Sequence, residues 1–540
     1  MGQTTLMLMI ITIISKIFGF VREAVMASYI GAEELKSVYT TANTLPVVVA
    51  NFVAVGIISG FIPIYNRAKN EEGVEEAEKL TSNVFNILLV FGTIAIIFGL
   101  LFARPFSKIF SPGLDGAWLD LATNYTRIMM FAVYAYLYSA IFRGYLNLKG
   151  DFFNPAITGI IMNVIIIIFT VITGKTGNPY YLIVGALLGN VLQYILFPKA
   201  TRNKGYKHQR VIDLSNKYIK QLMIIAIPVI ISSAAGEISI IVDNSMASAF
   251  FGKASVAKLF YAKTMLTLIT GVITVSVTTA LFPKIAALGQ AGKIGQMKKS
   301  ISSAVVTTLL LVVPAAVGMM VLSVPIIELV FQRNAFKAED TIIVASLLTS
   351  YAPFVIFQSI SDVIDRGFYA VGDSKTPVII VVIQQLINVI LNIILINFFG
   401  INGLAYATVV STILGSFMMI YKFRDNFGSF KFRSALISIV KIAIATALMA
   451  FVAIKLYNAT SGSMPHLVAM MISIIVAALV YGFLILLARI PEMMELTNAA
   501  YHKIFKPRKA QKHLRANNRL DKAVRVENTG KRKSEKRRKR

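Results

Sequence analysis

Apolar runs of about 20 residues, enough to cross a bilayer as a helix, recur from one end of the chain to the other. Fourteen are predicted, near residues 5–30, 39–65, 81–103, 120–147, 155–173, 180–198, 217–250, 255–286, 299–323, 339–370, 377–398, 402–422, 434–457 and 467–489. Short polar segments containing Gly, Pro and Asp separate them, as expected where one helix stops and the next begins. The pattern predicts an all-α integral membrane protein with about 14 transmembrane helices. The first run is expected to be a retained span. No basic segment precedes it, and it continues into Lys16 and Arg22 without a small-residue cleavage site.

Composition agrees with lipid as the main solvent. The 540 residues are 56% hydrophobic, with a mean hydropathy of +0.70. Only 15% are charged, against about 25% in soluble domains. The chain has no cysteine, which excludes disulfides, thiolate metal sites and a cysteine nucleophile. The four histidines are scattered, so no histidine-based metal or catalytic centre is visible and no cofactor is expected.

The net charge of +28 first suggests a nucleic-acid partner, but its distribution suggests otherwise. Residues 501–540 hold 17 Lys/Arg against Asp521, Glu527 and Glu535, and beyond Phe505 no stacking aromatic is interleaved. Residues 491–540 therefore read as a disordered basic tail lying on anionic lipid headgroups, with no nucleic acid expected. Most remaining charge lies in loops. Lys/Arg residues cluster after spans six (Lys199–Lys220), eight (Lys284–Lys299) and twelve (Lys422–Arg433). The short loops after spans one, five and seven are sparser, with Lys36, Lys175 and Lys253 respectively. The positive-inside bias then places both termini in the cytoplasm.

The chain also contains itself twice, with an offset of about 221 residues. Phe61-Ile62-Pro63 returns as Leu281-Phe282-Pro283. Arg143-Gly144-Tyr145 followed by Gly150-Asp151 and Pro155 returns as Arg366-Gly367-Phe368 followed by Gly372-Asp373 and Pro377. Six spans, an even number, separate the copies, so two six-helix lobes related by a parallel pseudo-twofold axis are expected. Transporters of this kind bind substrate between the lobes and rock one against the other. The expected organisation is an N-lobe over 1–214, a C-lobe over 215–428, two added spans over 429–490, and the tail over 491–540.

Charges within spans are costly and mark cavities or partners. Span one carries Lys16, Arg22 and Glu23 within about a third of the helix circumference, so all three are expected to face the bundle interior. Span seven carries Glu237 and Asp243, and span eight Lys258 and Lys263. Asp362 and Arg366 in span ten, four apart, are expected to pair. Asn388 and Asn392 in span eleven share a face. With Asp243 they supply oxygens suited either to Na⁺ or to helix–helix hydrogen bonding.

At these residues the sequence resembles the MurJ (MviN) family of lipid II flippases, within the superfamily that includes multidrug antiporters and polysaccharide flippases. The resemblance runs from about residue 5 to 422. It rests on Ser15-Lys16…Gly19-Phe20-Val21-Arg22-Glu23, Leu45-Pro46, Val330-Phe331-Gln332-Arg333-Asn334-Ala335-Phe336, and Phe368-Tyr369-Ala370…Asp373-Ser374-Lys375-Thr376-Pro377-Val378. It implies a multi-pass protein of the bacterial cytoplasmic membrane. Its implied activity is export of undecaprenyl-diphosphate-linked peptidoglycan precursor (lipid II) by alternating access, without chemistry on the substrate. Na⁺ or the membrane potential would supply energy. The resemblance assigns Lys16, Arg22 and Glu23 to a substrate cavity. The family's basic residue late in span two falls at the neutral Asn51. Its span-eight arginine falls at Thr264, beside Lys263. A flippase for another polyprenyl-linked glycan remains the alternative, and a cation-coupled drug antiporter would want an acidic cavity. A membrane enzyme would need a catalytic loop or domain larger than any here.

Overall fold

The computed structural model describes residues 2–428 and 432–494. The tail expected over 491–540 therefore lies almost wholly outside the described residues. Nineteen α-helices and one π-helical turn make up the described chain. Each predicted apolar stretch lies on a helix or on a broken pair of helices. Among the described residues, eleven helical segments are long and apolar enough to cross a membrane by length and composition.

The helices before the 204–216 loop, called the first lobe below, are α1 (Gly2–Ile30), α2 (Glu34–Glu72), α3 (Val74–Leu101), a short α4 (Ala103–Phe110), α5 (Gly116–Met130), α6 (Ala132–Leu148), α7 (Phe153–Thr176), α8 (Tyr180–Leu192) and α9 (Phe197–Asn203). Those after it, called the second lobe, are α10 (Lys217–Phe251), α11 (Ser255–Ile269), α12 (Val275–Gln290), α13 (Ile294–Val321), α14 (Ser323–Phe331), α15 (Ala338–Ala370), α16 (Lys375–Phe399) and α17 (Asn402–Phe427). Helices α18 (Phe432–Thr460) and α19 (His466–Leu487) follow. The short α4 and α14, which directly follow the long α3 and α13, are not legible as separate elements in the hydropathy pattern.

Within the lobes α1 packs on α7, α2 on α5 and α6, α13 on α15, and α16 on α17. Between the lobes α2 lies along α10 and α11 meets α2. Small residues allow the closest approach: a Cβ on Gly60 of α2 would stand 2.6 Å from Leu222 of α10. Without a hydrophobic driving force between helices in lipid, such backbone proximity and interhelical hydrogen bonds hold the bundle.

The π-helical turn Thr270–Thr274 joins α11 to α12. A single extra residue in a helical turn shifts the register of side chains beyond it and leaves the local ladder loosened. Gly271 in this turn faces α1: a Cβ there would stand 2.5 Å from the Lys16 ammonium. Glycine thus leaves room for a charged side chain from the other lobe.

At one end of the bundle the two lobes are bonded to each other. The Ala335 amide donates to the Ser28 carbonyl (3.1 Å), Asn334 to the Ser28 hydroxyl (2.9 Å), and Lys337 pairs with Glu33 (3.1 Å). The Gly113 amide donates to Ser248 Oγ (3.0 Å), Lys253 pairs with Asp115, and the Ala257 amide donates to Ser37 Oγ (3.0 Å). This is called the sealed end below. At the opposite end Lys217 pairs with Glu72 (2.5 Å), and Arg67 donates to Gln221 (2.9 Å).

Candidate transport cavity

A cavity of about 540 Å³ lies between the lobes, lined by Arg22, Glu23, Asn43, Asn190, Glu237 and Lys263 among others. Four of these six carry formal charge, which in a span is tolerated only beside water, a partner or a ligand.

Arg22 and Glu23 form a close pair, with Arg22 Nη2 2.5 Å from Glu23 Oε1. The guanidinium also donates to Asn163 Oδ1 on α7 at 3.0 Å. The second carboxylate oxygen of Glu23 takes Lys36 Nζ at 2.8 Å. Lys36 lies in the first turn of α2, wholly buried, with its ammonium 4.2 Å from the Phe260 ring centroid. One carboxylate therefore holds two cations, and aromatic faces from the other lobe complete the ammonium's surroundings. Exposure separates their roles. Arg22 and Lys263 keep 21% and 32% of their side-chain surface open, whereas Glu23 and Lys36 keep 3% and 0%. A ligand in the cavity can reach the first two; the second two hold Arg22 in place.

Lys263 of α11 projects between this cavity and a second one of about 310 Å³ within the second lobe, and it lines both. Its ammonium is 2.8 Å from Asp243 Oδ2. The other Asp243 oxygen accepts from Asn392 Nδ2 at 2.8 Å. Asn388 Oδ1 accepts from Ser239 Oγ at 2.9 Å. The residues predicted as a cation site, Asp243, Asn388 and Asn392, thus stand together, and the positive charge beside them is a lysine ammonium.

Other predicted residues take different positions. Asn51 donates to Glu237 Oε1 across the lobe interface at 2.7 Å and so positions a lining carboxylate without itself lining the cavity. Lys16 stands at Gly271 rather than beside Arg22. Both face the bundle interior, as the helical wheel predicts, and the roughly 9 Å of axial rise between them sets Lys16 against the π-helical turn, apart from the residues that line the main cavity. Asp362 and Arg366 are not an ion pair. Asp362 accepts from Gln358 at 2.8 Å, one turn the other way. Arg366 instead lies over the Phe282 ring, 5.5 Å from its centroid.

Two residues of the arrangement escaped the sequence reading. Lys36 follows Glu33 and Glu34 and reads as a loop charge; nothing in its neighbourhood signals burial. Asn163 had a signal, since it is the lone amide in an otherwise apolar run of α7.

The loop pair at the sealed end has a pH consequence. A hydrogen bond from Lys253, together with its charge, holds the Asp115 carboxyl below the ordinary carboxylate range. A depressed pKa means the contact is intact above the ordinary value and is lost only as pH falls through the lowered one. Spin labels replacing Glu33 and Lys337 remove only an exposed ion pair of the seal, a kind worth little, and are expected to report an unchanged short distance from about pH 8 to about pH 5. Opening in the middle of that range would refute this account of the seal.

Comparison with known proteins identifies the family and the fold. The family model described as "Lipid II flippase MurJ" matches residues 26–477, most of the chain. The chain belongs to the lipid II flippase MurJ family. Relatives include the probable lipid II flippase MurJ of Rhizobium meliloti (strain 1021), 27% identical over 81% of this chain and 83% of that protein. The lipid II flippase MurJ of Thermosipho africanus (strain TCF52B) is 28% identical over 88% and 94%. A solved lipid II flippase MurJ in an inward closed conformation superposes with a TM-score of 0.77 at 27% identity, covering 89% of this chain and 98% of that one. An inward-facing multidrug resistance MATE family transporter, at 16% identity and a TM-score of 0.65, shares the fold. A MurJ family member with this many apolar helices is a multi-pass membrane protein.

Proposed function

We propose that this chain moves lipid II, the undecaprenyl-diphosphate-linked peptidoglycan precursor, from the inner to the outer leaflet of the bacterial cytoplasmic membrane. The observation that carries the reading is a cavity between two lobes that presents Arg22 and Lys263, with the lobes bonded to each other on either side of it. The substrate's diphosphate cannot enter hydrocarbon with its hydration shell, and these cations replace that shell. Arg22 offers a planar fork matched to phosphate oxygens, and Lys263 offers a point charge. The polyprenyl tail stays in lipid while the head crosses. With the termini cytoplasmic, the sealed end faces outward. Breaking the contacts of one end while those of the other hold would complete the alternation. No bond in the substrate is made or broken.

Charge balance indicates where a membrane potential acts. The charged lining residues and their direct partners comprise Arg22, Lys36 and Lys263 against Glu23, Glu237 and Asp243, which cancel formally. Substrate then adds the negative charge of its diphosphate. A potential negative inside favours outward movement of that loaded anion by about 2.3 kcal/mol per charge per 100 mV.

The test is rescue of a bacterial strain depleted of its own lipid II flippase. Wild-type chain is expected to restore growth, and Arg22→Ala to fail although it inserts normally. Full rescue by Arg22→Ala would remove Arg22 from the binding role. An inserted wild type that cannot rescue would reassign the cavity to another polyprenyl-linked glycan, a reading favoured by the neutral Asn51.

A further inference from the structure

Lys263 stands between two ligands. On one side is the main cavity, where it is one of two cations that remain accessible. On the other is Asp243, at 2.8 Å and 3% exposed. Asp243 is itself fixed: Asn392, fully buried, donates to its second oxygen, and Asn388, also buried, is held by Ser239. The carbonyl oxygen of Asn392 is buried without a hydrogen-bond partner. The pocket around Asp243 is thus built from oxygens, one of them unsatisfied, and the ammonium of Lys263 is its cation.

From this geometry we infer that Asp243 is a counter-ion lock on Lys263, an internal competitor for the cation that the substrate's diphosphate needs. In the empty protein the ammonium rests on Asp243. A diphosphate entering beside Arg22 draws it off, because a dianion in a poorly hydrated cavity attracts it more strongly than a single carboxylate. Release breaks the ion pair joining α10 to α11 and uncovers the Asp243 oxygens beside the orphaned Asn392 carbonyl. When the anion leaves, Asp243 takes the ammonium back, which favours product release and resets the empty state. Asp243 is a positioning residue here and acts only through Lys263. The inference rests on the proposal that the cavity accepts a diphosphate.

The lock has a sign that a purely structural pair lacks. Removing the carboxylate frees Lys263 for the anion, so Asp243→Asn should bind a prenyl diphosphate more tightly while turning over more slowly. The measurement is calorimetric binding of farnesyl diphosphate to the full-length protein in detergent, in sodium-free choline buffer and again with Na⁺. Asp243→Asn is expected to tighten binding about tenfold, the equivalent of ~1.4 kcal/mol. Lys263→Met is expected to weaken it by a similar factor. The double variant should match Lys263→Met, since without the lysine there is nothing to lock. If Asp243→Asn does not insert, Asp243→Ser carries the same expectation. Rescue of the depleted strain should fall for Asp243→Asn despite its tighter binding.

Unchanged or weaker binding by both Asp243 variants in a folded protein would overturn the lock while leaving the diphosphate reading intact. So would Na⁺-dependent binding that Asp243→Asn abolishes, because it would make Asp243 a ligand of an inorganic cation. No detectable diphosphate binding by wild type or any variant would overturn both inferences. Tightening that persists in the double variant would show that Asp243 repels the anion directly.

Discussion

A Gly113→Leu variant is expected to transport at no more than about a hundredth of the wild-type rate, although its cavity residues are untouched. A Cβ at position 113 would stand 2.1 Å from the backbone carbonyl oxygen of Ser248. That atom belongs to helix α10 and cannot swing aside as a side-chain tip would. The sealed end therefore cannot close, and a carrier that must alternate loses one of its two states. Inverting such an equilibrium from 99:1 to 1:99 takes about 5.5 kcal/mol, a scale that a backbone clash readily supplies. The absence of cysteine makes the measurement direct, because any introduced pair is the only one. Spin labels at positions 33 and 337 should show a short distance in the wild-type background and a long one with Gly113→Leu. A short distance together with normal rescue would show that the lobes do not need to close there.

Glu23→Gln is expected to destabilise the protein by about 3–5 kcal/mol, the usual cost of removing one partner from a buried ion pair. Glu23 is 3% exposed and holds both Arg22 and Lys36, and Lys36 is wholly buried. Gln keeps a hydrogen-bond acceptor but leaves the Lys36 ammonium in a low-dielectric site without a counter-charge. The compensating change is Lys36→Met. In Glu23→Gln/Lys36→Met the uncompensated ammonium is gone, so thermal stability in detergent should return most of the way. Rescue of the depleted strain should stay poor, because Arg22 has lost the carboxylate that orients it. Equal instability of the single and double variants would mean that Glu23 is needed for packing rather than as a counter-ion to Lys36.

The sequence reading succeeded where the determining physics is local. A helix that crosses lipid must satisfy its own backbone and present apolar side chains for about 20 residues, so the helical stretches were visible without contacts. Arg22, Glu23, Asp243 and Lys263 stood out for the same reason: a charge amid such a run has no solvent and must have a partner or ligand. The nature of the partner was less legible. Asp362 and Arg366 have ideal helical spacing, yet Gln358 and the Phe282 ring compete successfully for them. Lys16 shares a helical face with the cavity residues but lies far enough along α1 to meet Gly271 in a π-helical turn, a feature that hydropathy does not encode.

Hydropathy and charge pattern by themselves determined that this is a helical membrane protein, and which few charges must be accounted for. Family motifs supplied the transport expectation. Only the tertiary structure decided the pairing: Lys36 under Glu23, Asn51 on Glu237, and Lys263 on Asp243 rather than a free cation. The reason is one of range. Insertion of each segment depends on its own contacts with lipid, whereas the partner of a buried charge depends on which helices pack beside it, here up to 186 residues away along the chain.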